Sequence, residues 1–299
     1  MIKPIGAYSV NCKADNHSID KTGHYTDPMM NWPLRGCAFT NEVGEALRPL
    51  IGSCANLTWV PALMYIGADV YDKYKNDQTE YSPDSRRALK QAIFQGLASI
   101  ALPVVAVKLG QNIFSQFGKF SEDKISLNAK EHISATAEQF IANGKMRAFD
   151  GKDEECVKEF LAQVSDSADY HSNKDSLKNY IRIFKTDKKD NFDKYAEKTI
   201  RDLIKLRKDL LNPTEEVKAG GLYSKYVGAL KDGQTESVAV KSILTKFQKG
   251  KMLKGNFIKT IGGFIALGLG IKPIDHFVEN VLIGKYVGPQ IDKIKRSND

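Results

Sequence analysis

The chain has 299 residues, enough for one large domain or two ordinary ones. Hydrophobic residues make up 42% and charged residues 27%, which excludes wholesale disorder, and 10 Pro with 23 Gly exclude a collagen-like repeat. The net charge of +8 is spread as +1 over residues 1–118, +3 over 119–250 and +4 over 251–299, so no dense cationic block points to nucleic acid.

Residues 1–35 are polar, carry Pro4, Pro28 and Pro33, and lack periodicity, which reads as a loose leader. Lys3, Lys13 and Lys21 are mixed with Asp15, Asp20 and Asp27 and no apolar run occurs, a pattern unlike a secretory signal or a transit peptide. From Gly36 the apolar residues Phe39, Val43, Ala46, Leu47 and Leu50 recur at helical spacing, with Thr40 or Asn41 as the expected cap. From Pro49 to Ala68 there is no charge for 20 residues, a length that crosses a hydrocarbon core of roughly 30 Å. A polar loop follows, and Ser82-Pro83 is the expected cap and first-turn proline of the next helix. Gln91–Val107 is uncharged over 17 residues and continues after Lys108 to Gly118, with a kink expected at Pro103. Thr260–Ile271 is a third apolar stretch of only 12 residues, too short to span without Phe257, Ile258 and the apolar face after Pro273. The competing reading of all three stretches is buried core helix in a soluble bundle.

Residues 119–255 differ in character: they are charged, Lys-rich and amphipathic. Phe192, Tyr195, Ala196, Ile200, Leu203 and Ile204 form one stripe, and Val157, Phe160, Leu161 and Val164 form another. Asn212-Pro213-Thr214-Glu215 predicts a further helix start, with Pro213 in the first turn. No segment alternates as a strand would. The expected fold is all-α: a membrane-embedded core of about three hydrophobic helices from residues 36–118 and 256–289, interrupted by a soluble helical insertion, 119–255, and ending in a basic tail, 290–299.

No nucleotide-binding glycine motif, metalloprotease motif or Glu-x-x-His pair occurs, and Cys12, Cys37, Cys54 and Cys156 form no Cys-x-x-Cys. The expectation is therefore a non-enzymatic protein with no cofactor, metal or small-molecule substrate. Two constellations stand out. In Asn41–Arg48, Glu45 and Arg48 are three apart and can pair on one helix face, against the alternative of a solvated surface. In Lys272–Glu279, Pro273 is expected to begin a fresh helix with Asp275 in its first turn, where the helix dipole favours an acid. If the third stretch is buried among the other helices, Arg48 is expected to reach Asp275, with Glu45 sharing the guanidinium. Gly262, Ala266 and Gly270 recur every four residues, a spacing that admits close helix approach.

These segments resemble the mitochondrial fission process protein family. The likeness rests on Asn41, Glu42, Gly44, Glu45 and Arg48 in the first block and on Asp69 in Ala68–Lys73. It continues through Gln95, Ser99 and Pro103, and ends with Pro273 and Asp275. The four blocks keep the family's order and cover residues 36–118 and 256–289, whereas the insertion has no counterpart. The resemblance implies a helical inner-membrane protein acting in mitochondrial division without a catalytic centre. Its expected partners are the lipid bilayer and a protein bound through the insertion. A Lys-, Asn- and Ile-rich composition points to an AT-rich genome; a bacterial source would imply a bacterial inner membrane or a host membrane. The alternatives are a soluble helical interaction protein, such as an effector of an intracellular bacterium, and a transporter or channel using Glu42, Glu45, Asp69 and Asp275. Basic residues of the 70–90 loop and of the tail predict that both lie on the inner side, with the insertion outside.

Overall fold

A computed structural model describes Met29 and residues 31–75, 83–148, 151–167 and 187–294. Most of the expected loose leader, together with Ser82 and tail residues 295–299, lies outside these. Among the described residues no strand occurs, and the chain is all-α. In chain order the helices are α1 (Leu34–Cys37), α2 (Thr40–Ile51), α3 (Trp59–Lys75), α4 (Ser85–Phe94) and α5 (Leu102–Ser115). They continue as α6 (Leu127–Ala142), α7 (Lys145–Ala148), α8 (Asp153–Ser167), α9 (Lys189–Leu211), α10 (Glu215–Lys218) and α11 (Gly221–Lys231). The last two are α12 (Glu236–His276) and α13 (Gly288–Ile291). A 3-10 segment, Gly52–Thr58, joins α2 to α3, and π segments Gln95–Ala101 and Phe277–Val287 lead into α5 and α13.

The chain forms two compact units, residues 1–111 with 259–299, and residues 112–258. Among the described residues three helical runs are long and apolar enough to cross a membrane: Thr40–Lys75, Ser85–Phe120 and Glu236–Ile291.

Local chemistry moves several expected element boundaries. Neither Thr40 nor Asn41 caps α2: Phe39 occupies the cap without a side-chain bond, and the Thr40 hydroxyl donates back to the Cys37 carbonyl at 2.9 Å. The uncharged run from Pro49 is not one straight helix, because Gly52 takes φ +58°, a left-handed conformation that favours glycine, and the chain tightens to 3-10 geometry. Helix α4 is capped by Asp84, whose carboxylate accepts the Arg86 N–H at 2.9 Å, so Pro83 precedes the cap. Likewise Thr214 caps α10, which leaves Pro213 outside the first turn. Pro273 begins no helix. Helix α12 runs through it, so Thr260–Ile271 belongs to a continuous helix and Asp275 sits in its last turn, just before the π segment, rather than in the first turn of a new helix. A proline removes one ladder bond, but a helix in apolar surroundings keeps its remaining bonds because no water replaces them.

The second unit is built as water-soluble bundles are. Its core joins Phe140, Phe160, Ile200, Leu203, Ile243 and Leu244 from α6, α8, α9 and α12. Phe140 and Phe160 meet edge to face, with centroids 5.5 Å apart. The expected stripes of α8 and α9 supply the buried sides. Their outer sides carry ion pairs such as Arg201 with Glu154 and Lys208 with Asp153. This polarity predicts an independently folding segment. Expressed alone, residues 121–252 are expected to be soluble, helical by circular dichroism and cooperative in thermal unfolding; an aggregated or non-cooperative product would contradict this.

Candidate functional site: a buried carboxylate and amide network

The first unit has the opposite polarity. Asn41, Glu42, Glu45, Asp69, Gln91 and Gln95 are buried, whereas Leu57 (72%), Met64 (71%), Val105 (62%) and Leu269 (74%) are exposed. Only 17%, 28% and 28% of the three apolar windows is buried inside the protein. What remains is an apolar surface around an interior in which these polar groups sit among small apolar clusters such as Phe94 with Val278 and Ala46 with Val107.

Two prolines account for part of that interior. Pro49 lies within α2 and has no N–H for the carbonyl four residues back, that of Glu45. Gln111, at the far end of the second apolar run, donates Nε2 to that carbonyl at 2.9 Å. Pro103 likewise has no N–H for the Ser99 carbonyl, which accepts Asn41 Nδ2 at 2.8 Å. The ladder widens into the π segment just before Pro103, which is where the expected break falls. Side-chain amides from other helices thus satisfy carbonyls that prolines have deprived of a backbone donor. Gln111→Leu keeps the volume but removes the donor, so it is expected to cost about 1–3 kcal/mol of stability in detergent. Adding Pro49→Ala returns a backbone donor and should recover much of that loss. Equal stability of Gln111→Leu and the parent chain would exclude the role.

Asp69 on α3 is the second node. Its Oδ2 accepts Nε2 of Gln91 and Nε2 of Gln95, both at 2.5 Å, and Gln95 Oε1 accepts the Ser99 hydroxyl at 2.6 Å. Gln91, Gln95 and Ser99 recur every four residues along one helical face, so the helical run through α4 and its π segment offers Asp69 a continuous polar stripe.

The third node is Glu45, which accepts Arg48 Nε at 2.8 Å and Trp59 Nε1 at 3.0 Å. Arg48 also donates to Asn56 Oδ1 at 3.0 Å. The expected Arg48–Asp275 pair does not form, because a short i,i+3 reach and the 3-10 turn bring Glu45 and Asn56 to the guanidinium first. Asp275 lies instead within electrostatic reach of Glu42 and Glu279. Gly44 is required by packing: a Cβ there would lie 1.8 Å from Thr58 Oγ1 of the 3-10 segment. Pro273 is exposed on α12 and takes no part in the network.

Of the residues singled out from sequence, Asn41, Ser99 and Pro103 meet at one node, Asp69 and Gln95 at another, and Glu45 and Arg48 at a third. Gln91, Gln111, Trp59 and Asn56 complete these nodes and were not singled out. The four-residue spacing of Gln91, Gln95 and Ser99 within an uncharged stretch is a signal that could have found the first. Gln111, Trp59 and Asn56 carry none, since their partners are distant or lie across an unforeseen turn. Among the described residues no cluster of three His, Cys, Asp or Glu side chains could hold a metal ion. No family model matches the chain, and comparison with curated proteins and with solved structures finds no match.

Proposed function

We propose that the chain is an integral membrane protein whose first unit lies in lipid and whose second unit is a soluble helical module making protein contacts. The observation that carries this reading is the inverted polarity of the first unit: buried carboxylates and amides beneath exposed Leu, Val and Met. In water such a surface drives aggregation; in a bilayer it meets hydrocarbon, and Asp69, Gln91, Gln95, Glu45 and Gln111 find their partners inside. The network ties helices together and leaves the chain a structural role in membrane division or shape, as in the mitochondrial fission process proteins it resembles. That Asn41 bonds Ser99 and Asp69 bonds Gln95 ties the first three of the resembling blocks to one another and supports the likeness; among the described residues Pro273 and Asp275 of the last block share no hydrogen bond with them. The membrane would be the mitochondrial inner membrane in a eukaryote, and the inner membrane or a host membrane for a bacterial protein.

Two experiments test this. Native membranes washed in alkaline carbonate should retain the chain, and its recovery in the supernatant would overturn the membrane assignment. For topology, Ser237→Cys is placed at the exposed start of α12 in a chain whose own cysteines are serine. In right-side-out vesicles it should react with an impermeant thiol reagent; protection until the vesicles are opened would place the second unit inside.

A further inference from the structure

A cavity of about 550 Å³ opens in the second unit, between the 3-10 turn Gln116–Phe120, α6, α9 and α12. Its lining holds two kinds of chemistry. Lys130, Lys198, Lys251 and Lys254 face it together with Asp123 and Asp202. Phe117, Leu127, Met252 and Ile258 line the rest.

The charges do not cancel. Asp123 binds Lys130 and Asp202 binds Lys251, both at 2.5 Å, while Lys198 stands 3.4 Å from the already engaged Asp123. Lys254 has no carboxylate partner among the described residues. Lys198 is held only by its longer bond to Asp123 Oδ1, which it shares with no other lysine. The lining therefore carries four ammonium groups against two carboxylates, and this excess of positive charge suits an external anion. Tyr195 also faces the cavity, where burial, with the fields of Asp123 and Asp202, pushes its phenol up to about 12 and keeps it a neutral donor.

The cavity also lies where the chain leaves and regains its apolar parts. Phe117 is five residues beyond the start of the second unit and Ile258 is its last residue. Around it Phe120 (85%), Leu253 (61%) and Phe257 (57%) are exposed. Basic and aromatic side chains at the end of an apolar helix mark the headgroup layer of a bilayer.

We infer that this cavity binds an anionic phospholipid, with Lys198 and Lys254 on the phosphate and Phe117, Leu127, Met252 and Ile258 against the first carbons of an acyl chain. The inference deepens the membrane reading and rests on it. A free phosphate would use the lysines but leave the apolar wall empty, which is the reason to prefer a lipid.

The test uses the full chain in dodecyl maltoside, with lipid binding followed by native mass spectrometry. Dioleoyl phosphatidylglycerol is expected to bind at least tenfold more tightly than dioleoyl phosphatidylcholine. Lys198→Ala with Lys254→Ala should weaken phosphatidylglycerol binding roughly thirtyfold, at about 1 kcal/mol per lysine. The arginine pair at these positions should keep it. Lys158→Ala with Lys205→Ala removes the same charge from exposed positions outside the cavity and should change nothing. Equal affinity for the two lipids, or equal losses in the two alanine pairs, would overturn the site. Displacement of the lipid by millimolar inorganic phosphate would make it a phosphate site instead. A failed membrane reading is distinguishable, because the chain would then leave carbonate-washed membranes whatever its lipid preference in detergent.

Discussion

Asp69→Ala should destabilise the detergent-solubilised chain by roughly 2–5 kcal/mol, the largest loss expected from a single truncation in the first unit. The reason is the number of groups it abandons. Gln91 and Gln95 both direct a side-chain N–H at Asp69 Oδ2, and all three residues are buried. Removing the acceptor leaves two amide donors with neither protein nor water to meet them. Asp69→Asn is the control for charge. Because both bonds end on one oxygen, an amide with its oxygen in that position preserves them, and the loss should be far smaller. Replacing Asp69, Gln91 and Gln95 together by Leu removes donors and acceptor alike, and should leave a more stable chain than Asp69→Ala alone. Thermal unfolding of the four chains in one detergent decides the matter. If Asp69→Ala melts with the parent, water reaches the glutamines and Asp69 is not their necessary acceptor.

Gly110→Val should cost about 3 kcal/mol and reduce the yield of folded protein, for a steric reason rather than a polar one. A Cβ at Gly110 would lie 2.3 Å from the Gly262 carbonyl oxygen and 2.5 Å from Ala266 Cβ. The first of these is backbone and cannot rotate away. Here α5 crosses α12 at a glycine, and the small residues at 262 and 266 form the facing surface, as their four-residue spacing implies. Gly263, beside them, packs near Ala46 Cα and Val107 of the small core that also contains Leu267. Ala266→Gly added to Gly110→Val relieves one contact but not the carbonyl, so partial recovery is expected. Gly67→Ala is the matched control, since a Cβ there meets nothing within 4 Å and should be neutral or slightly stabilising. Equal melting of Gly110→Val and the parent chain would mean that the two helices are farther apart than this packing requires.

Much of the architecture is legible in one dimension because it depends on periodicity and on runs without charge. Uncharged stretches from Pro49 and Gln91 are enough to announce long apolar helices, and the stripe from Phe192 to Leu211 is enough to announce α9 and its buried side. Helix ends are less legible, since capping depends on which of several small polar residues turns its side chain to the backbone; Asp84 and Thr214 do so, and Ser126 accepts the Ala129 N–H in the same way at α6. Prolines mislead for a related reason. Pro273 reads as a boundary because in water a missing donor ends a helix, yet within a long apolar run the helix continues. The partners of the buried polar groups are decided only by tertiary structure. Nothing local joins Pro49 to Gln111 or Pro103 to Asn41: the orphaned carbonyl is predictable from each proline, but the side chain that meets it comes from another helix. Arg48 marks the same limit. Its charge requires a carboxylate, and only the 3-10 turn after Gly52, with Glu45 one turn earlier on the same helix, determines that it is not Asp275.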